Sequence, residues 1–138
     1  MIRNRIRKHL CLVSINAFQY ATAVLQALTS AISHAQRAAM VLDGEPYPYI
    51  KWLAKASSAT PTGQRIAIDV EEIIDLIGTG ALRLGGPESK HPLNRKLREV
   101  RRALIDAARS KGIDAPWLNH WYLHLDERSK IHATFWYK

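Results

Sequence analysis

The residues with the most chemical reach fall in one short run, Pro46-Tyr47-Pro48-Tyr49-Ile50-Lys51-Trp52-Leu53. Aromatic faces stack on planar ligands and attract cations, and a lysine can pair with a phosphate. The same residue types also serve a structural end, in which Tyr47, Tyr49 and Trp52 wedge two helices together. A second constellation is basic. Lys90, Arg95, Lys96, Arg98, Arg101, Arg102, Arg109 and Lys111 stand against only Glu99 and Asp106 in that stretch, and Arg3, Arg5, Arg7 and Lys8 lie near the start. Arg95, Arg98 and Arg102 would be its phosphate contacts if these cations share a surface; the plainer reading is a solvated helix face of mixed charge.

Other candidates are thinner. His120 and His124 are four apart, a spacing that lets two histidines on one helix face ligate zinc, with Asp126 nearby. No following acid stands at metalloprotease spacing, and no cysteine pair accompanies them. Asp69-Val70-Glu71 has the one-apart spacing of a metal-binding acid pair but no glycine turn before it. Neither pattern supports a metal, no cofactor is expected, and no complete catalytic motif is present. Cys11, between Leu10 and Leu12, reads as an inert core thiol.

Helical periodicity carries most of these residues. Over residues 5–42, apolar or small side chains recur at Ile6, Leu10, Val13, Ala17, Tyr20, Val24, Leu28, Ala31, Ala35, Ala38 and Leu42, in steps of three and four. Asn16 and Thr29-Ser30 are the expected break points, and Asp43-Gly44 the stop. The two prolines then force an extended turn, and Pro48 is placed in the first turn of a short helix ending near Ala59. Thr60-Pro61-Thr62-Gly63 reads as a breaker. A third helix is expected over 64–77, with Ile66, Val70, Ile73, Ile74 and Ile77 buried and Asp69, Glu71, Glu72 and Asp75 wet. Glycines and prolines mark 78–92 as a loop. A fourth helix follows over 93–111, with Leu97, Val100, Leu104 and Ala108 inward and Gly112 as its cap. Residues 116–127 read as a further helix, with alternation in 121–137 leaving a hairpin open. The expected fold is all-α, a bundle of four to five helices in one domain, with a short irregular or hairpin tail.

Composition sets the frame. The chain has 138 residues, a net charge of +8 and one cysteine. No internal disulfide is possible, and a lone thiol fits a reducing compartment, so a cytoplasmic, soluble protein is expected. No apolar run approaches the roughly 18 residues of a membrane span.

Several of these motifs together resemble a known family. Tyr47-Pro48-Tyr49 followed by Lys51-Trp52-Leu53, the phrase Ala59-Thr60-Pro61-Thr62-Gly63, His91-Pro92-Leu93 before an arginine-rich helix, and Ala115-Pro116-Trp117-Leu118 leading to Trp121 are similar to the C-terminal helical part of bacterial nucleotidyltransferase-fold proteins, those related to DNA polymerase beta. Phe18-Gln19-Tyr20 resembles a Gln-Tyr pair on the first helix of that part. The likeness spans about 42–125. It implies a helical binding or accessory domain in which Tyr47, Tyr49, Lys51 and Trp52, with Gln19 and Tyr20 opposite, line a pocket or partner face. The family's chemistry lies in another domain, where a Gly-Ser turn and paired acids hold nucleotide and two metal ions. No such motif occurs here. The implied partners are a nucleotide or small molecule, a separate catalytic nucleotidyltransferase chain, or a second copy as a homodimer. Nucleic acid ranks behind these. That alternative draws on the basic segments and on Arg3 and His9, whose spacing is similar to that of helical ribonuclease toxins.

Overall fold

The computed structural model describes residues 21–85 and 90–119. Four α-helices account for most of them: α1 (Ala21–Leu42), α2 (Ile50–Ser58), α3 (Pro61–Gly78) and α4 (Pro92–Ser110). Two 3-10 turns, Ala81–Arg83 and Pro116–Leu118, complete the pattern, and no strand occurs among the described residues. The all-α bundle expected from the periodicity is the fold. None of the described helices is long and apolar enough to cross a membrane.

Helix α1 buries Val24, Leu28, Ala31, Ala35 and Ala39. Its small residues let neighbouring helices approach closely, while Val24 and Leu28 each contribute about 1.5–3 kcal/mol by leaving water. The expected break at Thr29-Ser30 does not occur. Thr29 donates its hydroxyl to the carbonyls of Leu25 and Gln26, and Ser33 donates to Thr29. These hydroxyls bond back within the helix and leave it intact. The other expected break, Asn16, lies outside the described residues. Gly44 ends the helix with φ +79°, its amide bonded to Val41 and that of Glu45 to Met40, a Schellman arrangement. Gly112 ends α4 in the same way, with Ile113 reaching back to Ala108.

Two sequence expectations shift by a turn. Pro48 lies ahead of α2 rather than within its first turn, because Tyr49 is the N-cap, with φ −56° and ψ 150°. Thr60-Pro61-Thr62-Gly63 separates two helices but is itself the start of α3. Thr60 caps the helix, its hydroxyl accepting from the Gly63 amide at 3.1 Å, and Pro61 takes the first position, where its missing N–H does no harm. Gly63 is required by contact: a Cβ there would stand 1.8 Å from the Ser57 carbonyl oxygen. That absence of a side chain lets α3 cross hard against the end of α2.

The core joins Val24, Leu28 and Ala35 of α1 to Ile66, Val70 and Ile73 of α3 and Leu93, Leu97, Val100 and Leu104 of α4. Ile74, expected inside, is exposed, and Ile77 is only half-buried. Helices α3 and α4 form the most extensive contact, with Lys96 of α4 meeting Asp69 and Glu72 of α3. Helix α2 packs on α1 and α3, whereas α4 packs on α3 and α1. Pro116–Leu118 form a single 3-10 turn where a longer helix is expected; its continuation, and any hairpin, lie outside the described residues.

Candidate binding surface

The Tyr47–Trp52 segment is held at both ends. At its base, Asp43 follows α1 and bonds Thr62 in the first turn of α3. The Thr62 amide donates to Asp43 Oδ2 at 2.7 Å and the Thr62 hydroxyl donates to Oδ1 at 2.6 Å. Lys111 Nζ, just past α4, stands 3.7 Å from the same carboxylate. Burial alone would push the Asp43 carboxyl up. The hydrogen bonds from Thr62, aided by Thr60 and the charge of Lys111, outweigh it and hold the pKa below the usual aspartate value. At the far end Leu53 sinks into the interior as the anchor of α2.

Between these anchors the large side chains point outward. Leu53 is 1% exposed, but Tyr47 is 41%, Tyr49 77%, Ile50 51% and Trp52 57% exposed. The aromatics therefore do not wedge helices together; Leu53, Ser57 and Gly63 occupy that contact. The prolines explain why: Pro46 and Pro48 hold the chain extended across the corner, so its side chains project away from the helices instead of folding back.

Cations flank these rings. The Arg37 guanidinium lies over Tyr47, 5.4 Å from the ring centre, and Lys51 Nζ lies 5.1 Å from the Trp52 ring centre. Helix α2 contains Lys51 and Lys55 and no acid. The result is an exposed ridge, apolar along its crest and flanked by cations. Arg37 belongs to this surface although sequence reasoning did not single it out. It lies ten positions before Tyr47, and only the Gly44 turn brings the two together.

Beside the ridge a groove of about 380 Å³ runs between α1, α2 and α3, with Ile66 and Val70 in its floor and Gln36, Lys55 and Glu71 at its rim. Its charged groups do not converge on a common point that would fix a ligand.

The other expected site residues are distributed elsewhere. Gln19 and Tyr20 lie outside the described residues, as do Arg3, His9, Cys11, His120 and His124. Arg95, Arg98 and Arg102 are exposed on α4, which shares neighbours with α2 but does not pack on it to any extent. The structure thus separates the arginines from the aromatic ridge. Asp69 and Glu71 also part company. Asp69 turns toward Lys96, whereas Glu71 borders the groove.

Lys96 is the most heavily paired charge. It lies 3.4 Å from Asp69 and 2.6 Å from Glu99, and it also pairs with Glu72. Hydrogen bonding to Glu72 and Glu99 raises the Lys96 pKa, and Lys96 in turn lowers that of Glu99. Asp69 moves the other way. Its burial outweighs the attraction of Lys96, so its pKa lies above the usual value. The cluster fastens α4 to α3.

No family model, curated protein or solved structure matches the chain.

Proposed function

We propose that this chain is a non-catalytic helical binding domain and that the Tyr47–Trp52 ridge is the face it presents to a protein partner. One observation carries the reading. Four large apolar side chains stand exposed side by side on a segment whose two ends are anchored. Such aromatics are the residue types that dominate binding energy at protein interfaces. Small molecules favour sites that bury most of their surface, whereas these side chains stand exposed and suit a socket on a larger surface.

Charge narrows the partner. With Arg37, Lys51 and Lys55 on or beside the ridge against Glu45 at its start, cations predominate, and the complementary surface is an apolar socket with an acidic rim. Two copies meeting through this face would bring like charges together, so a homodimer through the ridge is disfavoured. The motif resemblance makes a separate catalytic nucleotidyltransferase chain, with a glycine-serine turn and paired acids, the first partner to test. Calorimetric titration of the purified chain with such a protein is expected to show a one-to-one complex. Trp52→Ser should weaken it at least about 30-fold, the loss of an interface hot spot. An equal affinity for the variant would overturn the reading.

A second reading, a nucleotide, is favoured by one detail. Lys51 stands over the Trp52 ring, an arrangement that offers a base the indole to stack on and a phosphate the ammonium. A heat-shift screen with ATP, GTP and aminoglycosides tests it. The positive flanks predict that any shift comes from the nucleotides, not from the cationic aminoglycosides. No shift with either nucleotide removes this second reading.

A further inference from the structure

The cations of α4 are sorted by what they touch. Lys96 is taken by three carboxylates, Arg101 donates to the Leu118 carbonyl at 3.2 Å, and Arg109 stands 3.9 Å from Asp114. Lys111, just beyond the helix, faces Asp43. Arg95, Arg98 and Arg102 are left over. All three are exposed, and none has a carboxylate of the described residues within ion-pair distance. Their spacing of three and four places them within about 60° of arc and along about 10 Å of helix. Asp106, one turn beyond Arg102, ends the stripe.

Like charges at three and four apart disfavour the helix. Of the nearby acids, Asp69, Glu72 and Glu99 gather around Lys96 on the side facing α3, and Glu99 also lies within electrostatic reach of Arg95, so the relief is partial. All three stripe residues are arginine, whose planar fork of donors matches phosphate oxygens in pairs.

We propose that Arg95, Arg98 and Arg102 form a contact strip for the phosphate backbone of a nucleic acid. The strip lies on α4, apart from the ridge on α2, and is independent of the protein-binding reading. Along one strand of a duplex, where phosphates recur at about 3.4 Å of axis, it covers about three phosphates. No base-reading group accompanies the arginines, so recognition is of backbone charge and not of sequence.

The test is fluorescence anisotropy with the full chain and labelled 12-nucleotide single-stranded RNA, single-stranded DNA and duplex DNA, over about 50–200 mM salt. The expected result is binding whose logarithm falls with the logarithm of salt at a slope of about −2 to −3, the release of about three counterions. Arg95→Gln, Arg98→Gln and Arg102→Gln should each lessen the slope by about 0.7–0.9, and the triple variant should abolish binding. Arg109→Gln, whose side chain already faces Asp114, should leave it unchanged. Circular dichroism checks that the glutamine variants remain folded, as exposed positions allow. The proposal is overturned by absent binding at 50 mM salt or by a slope indifferent to the three substitutions. It is also overturned if the strip captures phosphatidylserine vesicles but none of the nucleic acids.

Discussion

Asp43 and Thr62 are joined twice, side chain to amide at 2.7 Å and side chain to hydroxyl at 2.6 Å, across 19 positions of sequence. This clasp ties the end of α1 to the beginning of α3 and fixes the base of the exposed ridge. A carboxylate there also faces the positive end of the α3 dipole. Asp43→Ala is expected to destabilise the fold by about 2–3 kcal/mol, the range for losing hydrogen bonds to a buried charged acceptor. Urea unfolding of both proteins measures it.

The same clasp sets an acid limb. The folded-state pKa of Asp43 is depressed, so its contribution is complete above the unfolded value near 3.9 and is lost as pH falls through the lower folded value. The stability gap between wild type and Asp43→Asn should therefore be constant from pH 7 to about 5 and shrink below about 4. A gap that grows on acidification contradicts this assignment.

Glycines of the two kinds should part in opposite directions. Gly63→Ala places a methyl against the Ser57 carbonyl, a backbone atom that cannot swing aside. A loss of about 3 kcal/mol or more is expected. Gly78→Ala meets open space at the end of α3 and should gain up to about 1 kcal/mol. Thermal melts of the two variants give the comparison directly.

Lys96→Met leaves Asp69, Glu72 and Glu99 facing one another without their common partner. Stability should drop at pH 7. Carboxylates that repel one another have folded-state pKa values above their unfolded ones, so the variant recovers as pH falls through them. The deficit against wild type should narrow between pH 7 and about 4, and melting temperatures across that range test it.

Much of this architecture was legible in the sequence because it is local. Steps of three and four located α1, α3 and α4, and Gly44 and Gly112 announced helix ends by needing positive φ. What stayed hidden was long-range. Nothing in Thr60-Pro61-Thr62-Gly63 says that α2 will lie against Gly63, or that Asp43 will occupy the donors of Thr62. Ile74 matched the apolar spacing of α3 but lies exposed, because the stripe is narrower than the pattern. The ridge residues were identifiable by type alone. Whether they faced in or out depended on the two anchors, and the Arg37–Tyr47 contact depended on the turn between them.

Sedimentation velocity addresses the ridge in the absence of any partner. Its positive flanks predict a monomer at micromolar concentration and ordinary salt. A dimer that dissociates on Trp52→Ser would instead make a second copy the occupant of the ridge.

The most direct measurement pairs binding with folding. Wild type, Tyr49→Ser, Trp52→Ser and the double variant are titrated calorimetrically with a nucleotidyltransferase catalytic chain that carries the glycine-serine turn and paired acids, and each is melted alone. The ridge account predicts melting temperatures within a few degrees of wild type, because these side chains are exposed, together with affinity weakened at least about 30-fold. Unchanged affinity in the double variant, or a collapse of the fold on removing either ring, would contradict it.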